Sequence, residues 1–97
     1  MEPEKPDREI EYFRLVRRFK RTHPECQRCG QRPTQDVHHT RGRSGTLLLD
    51  WRHWRAVCRE CHAWIGDNPE RSRREGFLCA KGLWNVPDET PKPTRPW

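Results

Sequence analysis

The stretch VHHTRGRSGTLLLDWRHWRAVCRECH, from Val37 to His62, decides how the rest of the chain is read. It holds four of the five histidines and the second of two Cys-x-x-Cys pairs, Cys58 with Cys61. The first pair, Cys26 with Cys29, lies a short way upstream. Two such pairs suit a tetrahedral zinc ion, because each short turn aims two thiolates at one centre. Disulfides are the alternative, and a secreted chain would favour them. The N-terminal MEPEKPDREIEYF carries no apolar run of the secretory kind. No stretch approaches the length needed to span a bilayer. A reducing, cytoplasmic setting with a four-cysteine zinc site is therefore expected. Cys79 reads as an ordinary thiol, with a part in dimer contacts as its alternative.

Composition points the same way. The 97 residues are 31% hydrophobic and 35% charged, enough for one domain with a small core. So little apolar burial barely offsets the entropy of ordering the chain, which is why domains of this size need a staple. The net charge of +6 suits a polyanionic partner, nucleic acid being the commonest.

Outward from the central stretch, the pattern resolves into short pieces. Residues 1–6 read as a flexible tail, and 7–84 as one domain. Residues 7–22 predict an entry helix with Asp7 as N-cap and Pro24 beyond its end. Tyr12, Leu15, Val16 and Phe19 share a sector about 100° wide, while Arg14, Arg17, Arg18 and Arg21 lie roughly opposite. That basic face is either solvated or tracks phosphates. His23 reads as a helix-end residue. Cys26 to Gly30 forms the first knuckle, with Gly30 in a positive-φ conformation. Residues 36–40 predict a strand, Arg41 to Gly45 a turn, and 46–49 the returning strand. Residues 50–57 predict an irregular loop, and a short helix follows from His62 to about Ile65. Asn68 and Pro69 start another helix that Gly76 closes, within 68–76. From Asn85 onward, NVPDETPKPTRPW has four prolines and predicts an extended, largely disordered tail ending in Trp97.

The order C-x-x-C, His-His on a hairpin, a polar residue five before the second C-x-x-C, and His directly after it resembles the HNH endonucleases. The likeness covers about residues 26–65. The entry helix and the run CHAWIGDNPERSRREGFL also resemble the small HNH proteins common in phage genomes. The resemblance implies a small α+β fold: a ββα-metal core stapled by a four-cysteine zinc site, with an N-terminal helix and a short C-terminal helix. It further implies that Cys26, Cys29, Cys58 and Cys61 hold structural zinc. In the same reading His39 is the general base, and His38 and His62 bind a catalytic divalent ion. His53 stands at the middle position, usually asparagine, whose part is to orient the base. With His38 where aspartate is commoner, the ion could be Zn²⁺, Ni²⁺, Mn²⁺ or Co²⁺ as well as Mg²⁺.

The expected activity is metal-dependent hydrolysis of DNA phosphodiesters, by nicking or double-strand cutting. Arg41 and Arg43 at the hairpin turn, together with Arg14, Arg17, Arg18 and Arg21, are the candidate phosphate contacts. Phage likeness adds terminase or other packaging proteins as partners and the host cytoplasm as the setting. It does not fix oligomeric state. The alternatives stand beside these readings. His38 or His39 could complete a mixed Cys/His zinc site, His62 could be a surface residue, and His53 could be a bland neighbour of two tryptophans. The competing function is a catalytically silent, zinc-stapled nucleic-acid-binding or adaptor module.

Overall fold

A computed structural model describes residues 8–92 of the chain. The N-terminal tail, the Asp7 cap and Trp97 lie outside the described residues. Among those described are three helices and a two-stranded antiparallel sheet, in the order α1 (Arg8–Thr22), β1 (Asp36–His39), β2 (Trp54–Val57), α2 (Arg59–Asp67) and α3 (Pro69–Glu75). The architecture is small α+β, and β1, β2 and α2 form a ββα unit.

The strands pair in the register Asp36 with Val57, Val37 with Ala56, His38 with Arg55 and His39 with Trp54. Side chains alternate across a strand, so each pair shares a face. The face with Val37, His39, Trp54 and Ala56 meets the apolar stripe of α1. Phe19, Trp54 and Ala56 are buried there, with Tyr12, Leu15, Val16 and Trp51 packed around them. The other face, through Val57, joins Cys26, Cys58, Cys61, Ile65 and Phe77 in a second cluster. Each side of the ribbon therefore has its own small core.

The returning strand is not residues 46–49. Gly45–Leu49 is a 3-10 helix, and Trp51–His53 forms a second one. Three consecutive leucines cannot alternate between a buried and an open face, and only Leu47 is fully covered. Asp50 then caps the next turn by accepting the Arg52 amide. Residues 54–57, expected as loop, make the strand because the first knuckle pins them. Gln27 N–H donates to the Ala56 carbonyl at 2.7 Å, and Ala56 N–H returns a bond to Gln27 Oε1 at 2.6 Å.

Helix α2 begins three residues earlier than expected, and Cys58 is its N-cap, its sulfur accepting the Cys61 amide. At its far end Asn68 and Pro69 start α3 as anticipated, and Gly76 ends it at φ 86°. Gly30 also has positive φ, at 67°.

The segment from Asn85 departs most from expectation. Residues 85–90 do not hang free; they are hydrogen-bonded along the β1–β2 connection, with Asn85 N–H on the Arg41 carbonyl at 2.8 Å. The proline-rich composition marks a segment without regular structure, which is compatible with docking when outside groups satisfy its backbone.

Candidate metal centres and active site

The two knuckles bring Cys26, Cys29, Cys58 and Cys61 together, with all four sulfurs within 4.8 Å of one another. Cys29 and Cys58 sulfurs lie 3.9 Å apart. Disulfide sulfurs would sit about 2 Å apart, whereas four thiolates about 2.3 Å from a zinc ion stand roughly 3.8 Å from each other. All four are free thiols. The donor set and its spacing fit a tetrahedral metal, and no histidine is needed to complete it.

Local electrostatics prepare the thiols for an ion. At Cys26 burial raises the pKa, but the amides of Cys29, Cys58 and Arg28 outweigh it and hold the thiol at about 6. Cys29 is lowered chiefly by the Gln31 amide. Burial pushes Cys61 up to about 12, against the pull of Arg28. One thiolate thus forms readily and the last resists, until a cation offsets their mutual repulsion. Arg28 and Arg32 reach the Cys61 and Cys58 sulfurs at 3.8 and 4.0 Å.

On the same side of the ribbon, His38 of β1 faces His62 of α2, with ring centroids 5.2 Å apart and edge to face. His38 is buried, and its Nε2–H donates to the Phe77 carbonyl. His62 Nδ1 bonds Asp36 Oδ2 at 3.1 Å. Each ring is thereby oriented through one nitrogen, and the other is the one left for a metal. Backbone carbonyls and carboxylates hold metal-binding histidines in this way. Burial, opposed by the Phe77 carbonyl, lowers the His38 pKa, which keeps the ring neutral.

His39 points to the opposite face, as strand alternation demands. It is buried beneath α1, where Tyr12 Oη bonds its Nε2 at 3.3 Å and stacks at 5.8 Å with a 29° interplanar angle. Trp54 closes the other side at 5.6 Å. Burial above all, then Arg43, His38 and His62, depresses the His39 pKa to about 4. The ring is therefore neutral at physiological pH.

His53 lies in a third group. Its ring bonds Asp88 Oδ2 at 2.9 Å, so the bond to His39 expected of the middle position is made by Tyr12 instead. Its carbonyl accepts both the Thr40 amide, at 2.8 Å, and the Thr40 hydroxyl, at 2.9 Å. Beside it, Arg52 grips buried Asp50 through two 2.9 Å bonds. Asp50, His53 and Asp88 are close enough to share a cation. The Arg52 guanidinium already supplies the positive charge there.

The arginines divide. Arg14, Arg17, Arg18 and Arg21 are exposed along α1. Arg43 is exposed at the turn, its guanidinium 5.5 Å from the Tyr12 ring centroid. Arg41 is spent on the C-terminal segment, donating to the Val86 and Pro87 carbonyls at 2.6 and 3.5 Å. The sequence reading passed over Arg55, the cross-strand neighbour of His38. It is half-buried, bonds the Trp54 carbonyl at 2.8 Å, and its pKa is lowered by burial. The reading also passed over Tyr12, Asp36 and Asp88 as site residues. Asp36 had a usable signal, since it lies two before His38 and so on the same strand face. Asp88 had none.

A ββα unit with paired histidines on strand and helix, stapled by four cysteines, defines the class: a ββα-metal domain. Within it, residues 26–67 match the family model described as HNH endonuclease. Comparison with curated proteins and with solved structures returned no match. Among the described residues, no helix is long and apolar enough to cross a membrane.

Proposed function

We propose that this protein is a metal-dependent endonuclease that hydrolyses DNA phosphodiester bonds. The observation that carries the reading is the His38–His62 pair, each ring anchored through one nitrogen and open at the other. A divalent ion held there would act as a Lewis acid on a phosphate oxygen and on the departing 3′ oxygen. The ion could be Mg²⁺, Mn²⁺, Ni²⁺, Co²⁺ or Zn²⁺, and the imidazole donors incline it to the later transition metals.

The protein's own groups supply the rest. His39, neutral and held by Tyr12 at Nε2 on the opposite face of the ribbon, is the base that the family likeness implies, with Nδ1 as the nitrogen left to take the attacking water's proton. Arg55, half-buried across from His38, would offer its charge to a phosphate bound at the His38–His62 pair. Arg43 and the arginine face of α1 bind the flanking backbone, so affinity falls steeply with salt and base readout is weak. Arg41 contributes by fixing the turn. Structural zinc on the four cysteines holds the knuckles to the ribbon. Likeness to small phage proteins supports the further reading of a cytoplasmic role in phage DNA packaging or processing, beside a terminase.

The test is nicking of supercoiled plasmid across Mg²⁺, Mn²⁺, Ni²⁺, Co²⁺ and Zn²⁺, with a chelator control and His39→Ala alongside. Metal-dependent nicking that disappears in a folded, zinc-loaded His39→Ala protein supports the reading. DNA binding without cutting under any metal leaves the adaptor module in its place.

A further inference from the structure

We infer that Asp88 is a positioning residue of the nuclease site, holding the His53 ring from outside the HNH segment and making residues 85–90 part of the active centre. The inference rests on the nuclease reading above.

Three observations carry it. The first is how Asp88 divides its carboxylate. Oδ1 accepts the Thr90 hydroxyl at 2.6 Å and the Thr90 amide at 3.0 Å, while Oδ2 faces His53 Nε2 at 2.9 Å and Arg52 at 3.6 Å. One oxygen is clamped by its own turn, so the other meets His53 in a set position. Thr90 first, then His53, holds the carboxyl well below the usual carboxylate range. An ionised carboxylate accepts only, so His53 Nε2 carries a proton in this bond and the ring is held in one orientation.

The second observation is how the segment is seated. Asn85, at φ 62°, offers its side-chain oxygen to the amides of Arg43 and Ser44 at 3.2 and 3.3 Å. That oxygen lies over Gly42, where a β-carbon would stand 2.1 Å from it. The hairpin turn thus has a glycine where the segment crosses it.

The third is what His53 does for His39. The His53 carbonyl takes two bonds from Thr40, the residue directly after His39. Holding the His53 side chain therefore restrains the residue whose backbone carbonyl anchors the end of β1. A histidine at this position needs such a partner, because an imidazole has two tautomers and can swing. An asparagine side chain has no tautomers.

The test uses the full, zinc-loaded chain. Single-turnover nicking rates and DNA affinities are measured for the parent, Asp88→Ala, Asp88→Glu, His53→Asn and the His53→Asn/Asp88→Ala pair. The His53 ring is followed by nitrogen-resolved NMR. Asp88→Ala should slow cutting about tenfold to a hundredfold without weakening DNA binding, and Asp88→Glu should restore part of the rate. In the His53→Asn background, losing Asp88 should cost less than about twofold, since its partner is already gone. A merely structural role predicts the same loss in both backgrounds, and that result overturns the inference. So does an Asp88→Ala rate within about twofold of the parent. If the parent itself does not cut, the nuclease reading fails and the catalytic part of the inference with it, and the ring spectrum decides only whether Asp88 holds the His53 ring. A single Nε2–H tautomer that becomes mixed in Asp88→Ala supports it, and an unchanged spectrum overturns it.

Discussion

Tyr12 joins the apolar stripe of α1 to the chemistry, because its hydroxyl reaches His39 while its ring packs against Trp54. Tyr12→Phe keeps the ring contacts and removes only the bond. A neutral hydrogen bond is worth about 1 kcal/mol, so plasmid nicking should slow roughly five- to tenfold with fold and zinc content unchanged. The buried neutral His39 also makes a pH prediction. Its folded pKa, about 4, lies below the ordinary imidazole value, so below that value the unfolded chain binds the extra proton first. The stability His39 contributes is present above its unfolded pKa and is lost as pH falls toward 4. Urea midpoints at pH 7 and pH 5 should therefore differ more for the parent than for His39→Gln, which cannot take up that proton.

At the scale of elements, the ribbon is held from both ends. Gln27 and Gln35 tie the first knuckle and its exit to β2 and to the start of α2, Gln35 accepting the Arg59 amide at 2.9 Å. With only four residues per strand, this sheet has little stability of its own. Metal at the four cysteines should consequently be worth most of the folding free energy. Stripping it with a strong zinc chelator should abolish the cooperative thermal transition and most of the α2 circular dichroism, and re-adding Zn²⁺ should restore both. Cys26→Ser should behave like the chelated parent. A transition that survives chelation would mean that the two hydrophobic clusters suffice without an ion.

For the molecule as a whole, charge is arranged by face. Arg14, Arg17, Arg18 and Arg21 stand outward on α1 while its other side covers His39, so the helix binding the DNA backbone would also roof the base. Arg17→Ala with Arg21→Ala should weaken DNA binding about equally for unrelated sequences. It should also flatten the slope of log affinity against log salt by about 2, one phosphate contact per arginine. Zinc content and melting temperature should not move, because both side chains are exposed. A salt slope equal to the parent's would place the DNA on another face.

Cys-x-x-Cys spacing, the stripe of α1 and the order of the histidines were legible in the residues alone, because each is a local pattern with a local cause. Two thiolates per short turn, one apolar sector per helix and one face per alternate strand residue need no knowledge of distant neighbours. That local logic also failed locally, placing the returning strand at the three leucines when it lies at Trp54–Val57. What remained hidden depended on groups far apart in the chain: Tyr12 on His39, Asp36 on His62, Asp88 on His53. Composition marked the chain from Asn85 onward as an extended, largely disordered tail; residues 85–92 do lack regular elements, but they are not free. Only the tertiary fold brings the amides of the hairpin turn against Asn85 and the Arg52–His53 pair against Asp88, and so makes an irregular segment an ordered one.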